Sequence, residues 1–324
     1  MIRGRVAVAV RGGRIVAAGR LRIPRSARVV RFRGGTILPG FVDLHVHSTM
    51  PSMLRAGVTT TRNVGEPEAV LRPPHALPRY PRVFSSGPLI TVPGGYPTRV
   101  NPGLAAPVRS AEEAAAKVDA LVAKGAALIK ISLETFDGTV PTLDADQVRA
   151  IVARAHRHGR RVTAHVADGR GLQIALDGGV DELAHMPCTG VSTGQLEALV
   201  ARGVSVVGTL RTGRLFRPQC RDSLANARSF VAMGGRLLYG TDIPAVPATL
   251  DLYELSLMRQ AGLTGIETLA AATSEAGRAL GRARIGTVRV GAPADLWVVQ
   301  GDPVRSTRAL GRVRFVMARG VRIR

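Results

Sequence analysis

The stretch LPGFVDLHVH at residues 38–47 places a short strand and a pair of histidines side by side. Its run Phe41 to Val46 is short and mostly apolar, as in a strand that is buried in a sheet. Because side chains alternate along a strand, His45 and His47 face the same side and can chelate one metal ion. A histidine pair on a strand is often structural, so residues elsewhere in the chain are needed to show whether this pair binds a metal.

Similar short apolar runs recur through residues 41–280 and alternate with helical patterns, which is typical of parallel βα units. The later runs are Val58 to Val64, Arg82 to Ser85, Leu128 to Leu133, Arg161 to His165, Asp181 to His185, Val204 to Leu210 and Arg236 to Gly240. Helices are predicted at Ser110 to Lys124, Asp144 to His158, Gln195 to Arg202 and Asp222 to Met233. Eight strands over about 240 residues predict a (β/α)8 TIM barrel, whose catalytic groups lie at the carboxyl ends of the strands.

The two ends of the chain have a different pattern, of short strands separated by glycine and proline. Ile2 to Val10 and Arg14 to Ala18 are predicted strands at the amino end, and Thr287 to Val290, Asp295 to Val299 and Val313 to Met317 at the carboxyl end. Neither end is large enough to fold alone. We therefore expect an α/β chain with two domains: a small β-sandwich from residues 1–38 plus 285–324, and a barrel from residues 39–284.

Residues of the kinds that bind metals lie at or near the predicted strand ends: His45, His47, Lys130, His165, His185 and Asp242. Taken singly, His165 and His185 have the alternative of being core histidines, Asp242 of capping a helix, and Lys130 of pairing with Glu134. Six such residues in order on five strand ends argue against coincidence. Imidazoles and a carboxylate that converge on one face of a barrel predict a metal site with hydrolytic chemistry.

Motifs along nearly the whole chain resemble the amidohydrolase superfamily, most closely its imidazolonepropionase-like and Xaa-Pro dipeptidase-like branch. They are residues 38–47, Gly57-Val58-Thr59-Thr60, Ile129-Lys130-Ile131, Val162-Thr163-Ala164-His165, Glu182-Leu183-Ala184-His185, Gly240-Thr241-Asp242 and Gly291-Ala292-Pro293-Ala294-Asp295-Leu296. Asn63 is a departure, since members of the family often have Asp there. The resemblance implies a binuclear metal-dependent hydrolase of amide, cyclic amide or peptide carbon–nitrogen bonds.

By the same resemblance, His45, His47 and Asp242 hold the more buried of two divalent ions, expected to be zinc, and His165 and His185 hold the more exposed one. Lys130 is implied to bridge both ions as a carbamate made from carbon dioxide. A carbamate supplies two anionic oxygens, whereas a protonated ammonium cannot coordinate a cation. A hydroxide that bridges the metals is then the nucleophile, and Asp242 is the general acid and base.

Substrate contacts are predicted from two loops. Tyr96, where the family often has His, is expected to donate a hydrogen bond to the developing oxyanion, with plain packing on its neighbours as the alternative. Arg211, Arg214 and Arg217 follow the seventh strand and predict an anionic group on a small-molecule or short-peptide substrate. Two alternative functions stay open. One is hydrolysis of esters, lactones or phosphotriesters at the same site, and the other is a metal-free, non-catalytic barrel that serves as a binding protein.

Composition limits the partners. The 45 lysines and arginines outnumber the 23 acidic residues and give a net charge of +22, but they are scattered, and aromatic residues are only 4%. We therefore expect no nucleic-acid partner. No stretch is apolar and long enough to span a bilayer, and the two cysteines, Cys188 and Cys220, cannot form a disulfide framework. A cytoplasmic location is the default expectation, and a homo-oligomer is left open.

Overall fold

The computed structural model describes residues 6–216, 220 and 222–324. Within them the strands are β1 (Ala7–Arg11), β2 (Arg14–Gly19), β3 (Gly35–Pro39), β4 (Phe41–Val46), β5 (Val58–Asn63), β6 (Arg82–Ser85), β7 (Leu89–Thr91), β8 (Ala105–Pro107), β9 (Ile129–Ser132), β10 (Val162–His165), β11 (Glu182–Leu183), β12 (Ser205–Val207), β13 (Leu237–Leu238), β14 (Leu296–Gln300), β15 (Val313–Ala318) and β16 (Val321–Arg322). The α-helices are α1 (Pro51–Arg55), α2 (Ala111–Ala123), α3 (Ala145–Arg157), α4 (Gly169–Gly178), α5 (Thr193–Ala201), α6 (Leu210–Phe216), α7 (Ser223–Ala232), α8 (Leu252–Gln260), α9 (Gly265–Ala271) and α10 (Ser274–Ala279).

Eight parallel strands form a barrel. β4, β5 and β6 pair in that order, and β9 to β13 pair in chain order as a second run, with β7 and β8 added beside β9. Hydrogen bonds from Ala127 N to Ser85 O (2.7 Å) and from Leu44 N to Tyr239 O (3.2 Å) join the two runs on either side. The eight predicted strands and the predicted TIM barrel are confirmed.

The four predicted helices are confirmed as α2, α3, α5 and α7. Ser110 accepts a hydrogen bond from Glu113 N at the start of α2, and Asp144 forms a capping box with Gln147 at the start of α3. The predicted strand Val204 to Leu210 is too long at its carboxyl end. There the Glu254 carboxylate accepts hydrogen bonds from Leu210 N and Arg211 N and satisfies the first turn of α6 instead.

The terminal segments form two small sheets that face each other. β14 pairs with β3 on one side and β15 on the other, while β1 and β2 form a hairpin. Between them lie the buried side chains of Ile15, Ala292, Ala294 and Leu296. This is the predicted β-sandwich beside the barrel; the exact domain boundaries stay a prediction.

Two predicted terminal strands need correction. Thr287 to Val290 is not a strand, because the chain turns there: Ala292 N bonds to Arg289 O, and Gly291 has a φ of +80°. At the amino end, β1 begins at Ala7, and residues 2–5 of the predicted strand lie outside the described residues.

Trp297 joins the small sheets to the barrel. Its ring is fully buried, meets the ring of Phe41 edge-on at 5.0 Å, and donates from Nε1 to Pro39 O. Gly57 lies under this ring with a φ of +99°, and a Cβ there would come within 2.4 Å of the indole. The position therefore requires glycine, both for its backbone conformation and for its space.

One disulfide joins Cys188, three residues beyond His185, to Cys220. Two cysteines were expected to form no disulfide framework, so this single bridge across 32 positions is a feature that the sequence did not predict. Among the described residues, no helix has the length and apolar character needed to cross a membrane.

Candidate active site

A cavity of about 500 Å³ opens at the carboxyl ends of the barrel strands. It is lined by His47, Gly65, Glu66, Pro67, Leu89, Tyr96, Pro97, Asn101, Leu104, Lys130, His165, His185, Asp242, Pro244 and Ala245. His45 lies beneath this lining, fully buried. The structure thus brings the six predicted metal-site residues to one place, which is where barrel enzymes carry their chemistry.

The histidine pair on β4 is oriented by two backbone carbonyls. His45 Nδ1 lies 2.8 Å from Ala184 O, and His47 Nδ1 lies 3.3 Å from Gly65 O. A carbonyl only accepts, so each Nδ1 carries the proton and each Nε2 presents a lone pair. Burial, reinforced by Lys130 and the other histidines, holds the pKa of His45 well below its usual range, which keeps its ring neutral.

Asp242 follows β13 and faces these rings. Its Oδ1 lies 3.4 Å from His45 Nε2 and 3.3 Å from His47 Nε2. Its backbone has a φ of +62°, and its N–H donates to His45 O. A strained backbone that is fixed by a hydrogen bond from the neighbouring strand is typical of functional positions.

Asp43 supports this arrangement from inside the barrel. It accepts hydrogen bonds from His45 N, Thr241 N and Thr241 Oγ1, so it ties β4 to the residue before Asp242. Burial raises the pKa of Asp43 to about 7, and the bonds from Thr241 oppose that shift. The sequence did not assign Asp43 a role, although strand alternation puts it on the same side as His45 and His47.

His165 and His185 occupy the other side of the site, with ring centroids 4.6 Å apart. His185 Nδ1 lies 2.8 Å from Thr209 Oγ1. His165 Nε2 lies 3.1 Å from Oε2 of Glu134, a carboxylate that is almost entirely buried. Glu134 thus contacts His165. The sequence had left open a pairing of Glu134 with Lys130, but Lys130 Nζ has no hydrogen-bond partner among the described residues.

Lys130 is 1% exposed, and its Nζ has no hydrogen-bond partner in the described chain. Burial lowers its pKa from 10.5 to about 7, and the charge of Asp242 opposes the shift. Beneath it, Arg62 and Glu182 form a buried ion pair between β5 and β11. A lysine nitrogen is rarely buried without a partner, so this one points to a group that the protein itself does not supply.

These donors fit a cation. His45 Nε2 and His47 Nε2 lie 3.3 Å apart with their lone pairs facing, an arrangement that a positive ion between them relieves. One ligand atom from each of His45, His185 and Asp242 falls within a span of 4.8 Å. Nitrogen and carboxylate donors of this kind suit zinc and related metals.

The predicted substrate contacts have mixed outcomes. Tyr96 lines the cavity and stacks on the His165 ring at 4.9 Å. Arg211 and Arg214 do not line it. The Arg211 guanidinium is bound to both oxygens of Asp251, and Arg214 is exposed; the substrate-binding role of both stays a prediction. Arg217 lies outside the described residues.

Comparison with known proteins places this fold and site in a family. The sequence model of the Amidohydrolase family matches residues 36–323, so the chain belongs to that family and is a hydrolase. An imidazolonepropionase of Salinispora arenicola is 25% identical, with 92% of this chain and 86% of that protein covered. An uncharacterized protein of Mycobacterium tuberculosis is 26% identical over 89% of this chain and 85% of its own length.

A crystal structure of a Xaa-Pro dipeptidase with bound methionine in its active site is similar in fold. Its TM-score is 0.83 at 22% identity, with 98% of this chain and 94% of that chain covered. The resemblance drawn from the sequence motifs is confirmed at the level of the superfamily.

Proposed function

We propose that the protein is a binuclear metal-dependent hydrolase of amide, cyclic amide or peptide carbon–nitrogen bonds. The observation that carries the proposal is the convergence of His45 Nε2, His47 Nε2 and Asp242 Oδ1 within 3.4 Å, beside a buried lysine nitrogen that has no hydrogen-bond partner among the described residues. The names of its relatives, imidazolonepropionase and Xaa-Pro dipeptidase, agree with carbon–nitrogen bond chemistry.

In this proposal His45, His47 and Asp242 hold the deeper ion, and His165 and His185 hold the outer one. Lys130, carboxylated on Nζ, lies between the two sets, which accounts for a buried nitrogen that makes no hydrogen bond. Divalent cations, when bound, acidify water and polarise a carbonyl oxygen.

The protein's own groups carry the proton. Asp242 lines the cavity beside the reacting position, so its carboxylate accepts the proton of the attacking water and returns it to the leaving nitrogen. Tyr96 stands over His165, and its hydroxyl donates a hydrogen bond to the carbonyl oxygen as negative charge develops there.

The test is a hydrolysis panel of dipeptides, N-acyl amino acids, hydantoins, lactones and paraoxon, with zinc-loaded wild type and Asp242→Asn. Wild type is expected to cleave an amide-type substrate, and Asp242→Asn to lose about 10²–10⁴-fold in kcat, the usual contribution of a general acid and base. Circular dichroism checks that the variant is folded. Turnover confined to lactones or paraoxon would overturn the proposal.

A further inference from the structure

One charged residue of the cavity has no part in the proposed metal set. Of the described lining side chains, Glu66 and Asp242 are carboxylates, and apart from histidines Lys130 is the one that is basic. The described part of the lining thus holds no arginine, although the chain has 45 lysines and arginines. In the proposed function Asp242 and Lys130 bind the metals. Glu66 is therefore the remaining charged side chain of the described lining that can contact a substrate.

The turn after β5 holds Glu66 in place. Asn63 Oδ1 accepts from Gly65 N at 3.1 Å, which fixes the orientation of the amide, and Nδ2 then donates to Glu66 Oε2 at 3.2 Å. An aspartate at position 63 would repel this carboxylate, whereas the amide binds it. The Gly65 carbonyl just before Glu66 is the one that orients His47, so Glu66 is built next to the metal set.

Glu66 differs from its neighbour Glu68, which has counter-ions, in forming no ion pair within the described part of the chain. Glu68 forms ion pairs with Lys117 (3.2 Å) and Lys124 (2.6 Å). Among the described residues, no lysine, arginine or histidine forms such a pair with the partly buried Glu66. Removing a carboxylate from water without a counter-ion is costly, so an incoming cation gains more here than at the surface.

We propose that Glu66 selects substrates that carry a positively charged group, an ammonium or a guanidinium, on an otherwise apolar body. The apolar part matches the remaining walls, which include Pro67, Leu89, Leu104 and Pro244. This inference rests on the proposed function, and it differs from the anionic substrate that the sequence predicted from Arg211, Arg214 and Arg217.

The kinetic test compares four leucyl- or lysyl-alanine compounds, each with a peptide bond to cleave. Leu-Ala-amide carries an α-ammonium, N-acetyl-Lys-Ala-amide carries a side-chain ammonium, N-acetyl-Leu-Ala-amide is neutral, and N-acetyl-Leu-Ala has a free carboxylate. Wild type is expected to prefer one of the two cations over the neutral compound by about tenfold or more in kcat/KM, the effect of a hydrogen bond to a charged group. The two cations distinguish an α-amine from a side-chain amine.

Glu66→Gln keeps the size of the side chain and removes its charge. In this variant kcat/KM on the cations is expected to fall much further than kcat/KM on the neutral compound, so that the preference shrinks to within about twofold, since a uniform catalytic defect would lower both rates alike. Glu68→Gln is the matched control, because Glu68 lies on the same loop outside the cavity, and it should behave as wild type. Equal losses on cationic and neutral substrates in Glu66→Gln, or a wild-type preference for the carboxylate, would overturn the inference.

A binding measurement separates this inference from the proposed function. Hexylamine and hexanol share an apolar body and have no bond to hydrolyse, so ligand-observed NMR compares their binding even if no amide is cleaved. If wild type cleaves none of the four amides, the proposed function fails on them. A preference for hexylamine that disappears in Glu66→Gln then still supports the cation site, and equal binding of the two overturns it.

Discussion

Each histidine on β4 is held through the ring nitrogen that faces away from the other ligands. Ala184 O and Gly65 O take the Nδ1 protons of His45 and His47 and leave both Nε2 atoms directed at Asp242. The sequence predicts which side chains meet, because strand ends and alternation fix that. It does not predict which carbonyls orient them, since Ala184 comes from a strand that is 139 positions away from His45.

Glu134 is expected to position one metal ligand, because its carboxylate contacts Nε2 of His165. Glu134→Ala is expected to weaken metal binding about 10–100-fold, the usual cost of losing the partner of a ligating histidine. Glu134→Gln keeps an acceptor for Nε2 and should recover most of that affinity. Competition with a chromophoric zinc chelator measures the zinc affinity of both variants. Glu112→Ala is the control, because Glu112 is exposed. Unchanged affinity in Glu134→Ala would show that the carboxylate does not position His165.

At the scale of elements, the period of the apolar runs predicts the eight barrel strands and four of the helices. The strand predictions are wrong where a residue that is distant in the sequence determines the local structure. Val204 to Leu210 was predicted to be all strand, but Glu254 on α8 caps the start of α6 at Leu210. Thr287 to Val290 has the composition of a strand, but none of the described strands pairs with it, and the chain turns at Gly291 to reach Ile15.

The turn after β5 has no room for a side chain at Gly65. A Cβ at Gly65 would lie 2.6 Å from His47 Nδ1 and 3.1 Å from Leu89 Cδ1. Gly65→Ala is therefore expected to displace His47, with a loss in zinc affinity of about tenfold or more and a destabilisation of about 1–3 kcal/mol. Gly194→Ala, where nothing lies within 4 Å, is the matched control. Chelator competition and urea unfolding give the two values, and a wild-type zinc affinity in Gly65→Ala would contradict the account.

At the scale of the whole molecule, buried acidic groups make stability depend on pH. Burial raises the pKa of Glu254 from 4.5 to about 8, so the folded protein binds a proton more tightly there than the unfolded chain does. Between these values folding takes up a proton. The stabilising contribution is thus complete below pH 4.5 and is lost as the pH rises through about 8.

Glu254→Gln removes this titration. The variant should be less stable than wild type at low pH, because one of the bonds from Leu210 N and Arg211 N loses its acceptor. The difference in unfolding free energy between the two proteins is expected to shrink as the pH rises towards 8. Urea unfolding at several pH values measures it, with Glu112→Gln as an exposed control. A difference that stays constant with pH would contradict the raised pKa.

The proposed binuclear centre, with carboxylated Lys130 between the two sets of ligands, is tested by counting the bound metal ions. Plasma mass spectrometry would be run on protein purified without chelator, then again after incubation with zinc and bicarbonate, alongside Lys130→Ala. The account predicts about two ions per wild-type chain, as in binuclear hydrolytic sites, and fewer in Lys130→Ala. Close to none in both wild-type samples would contradict it.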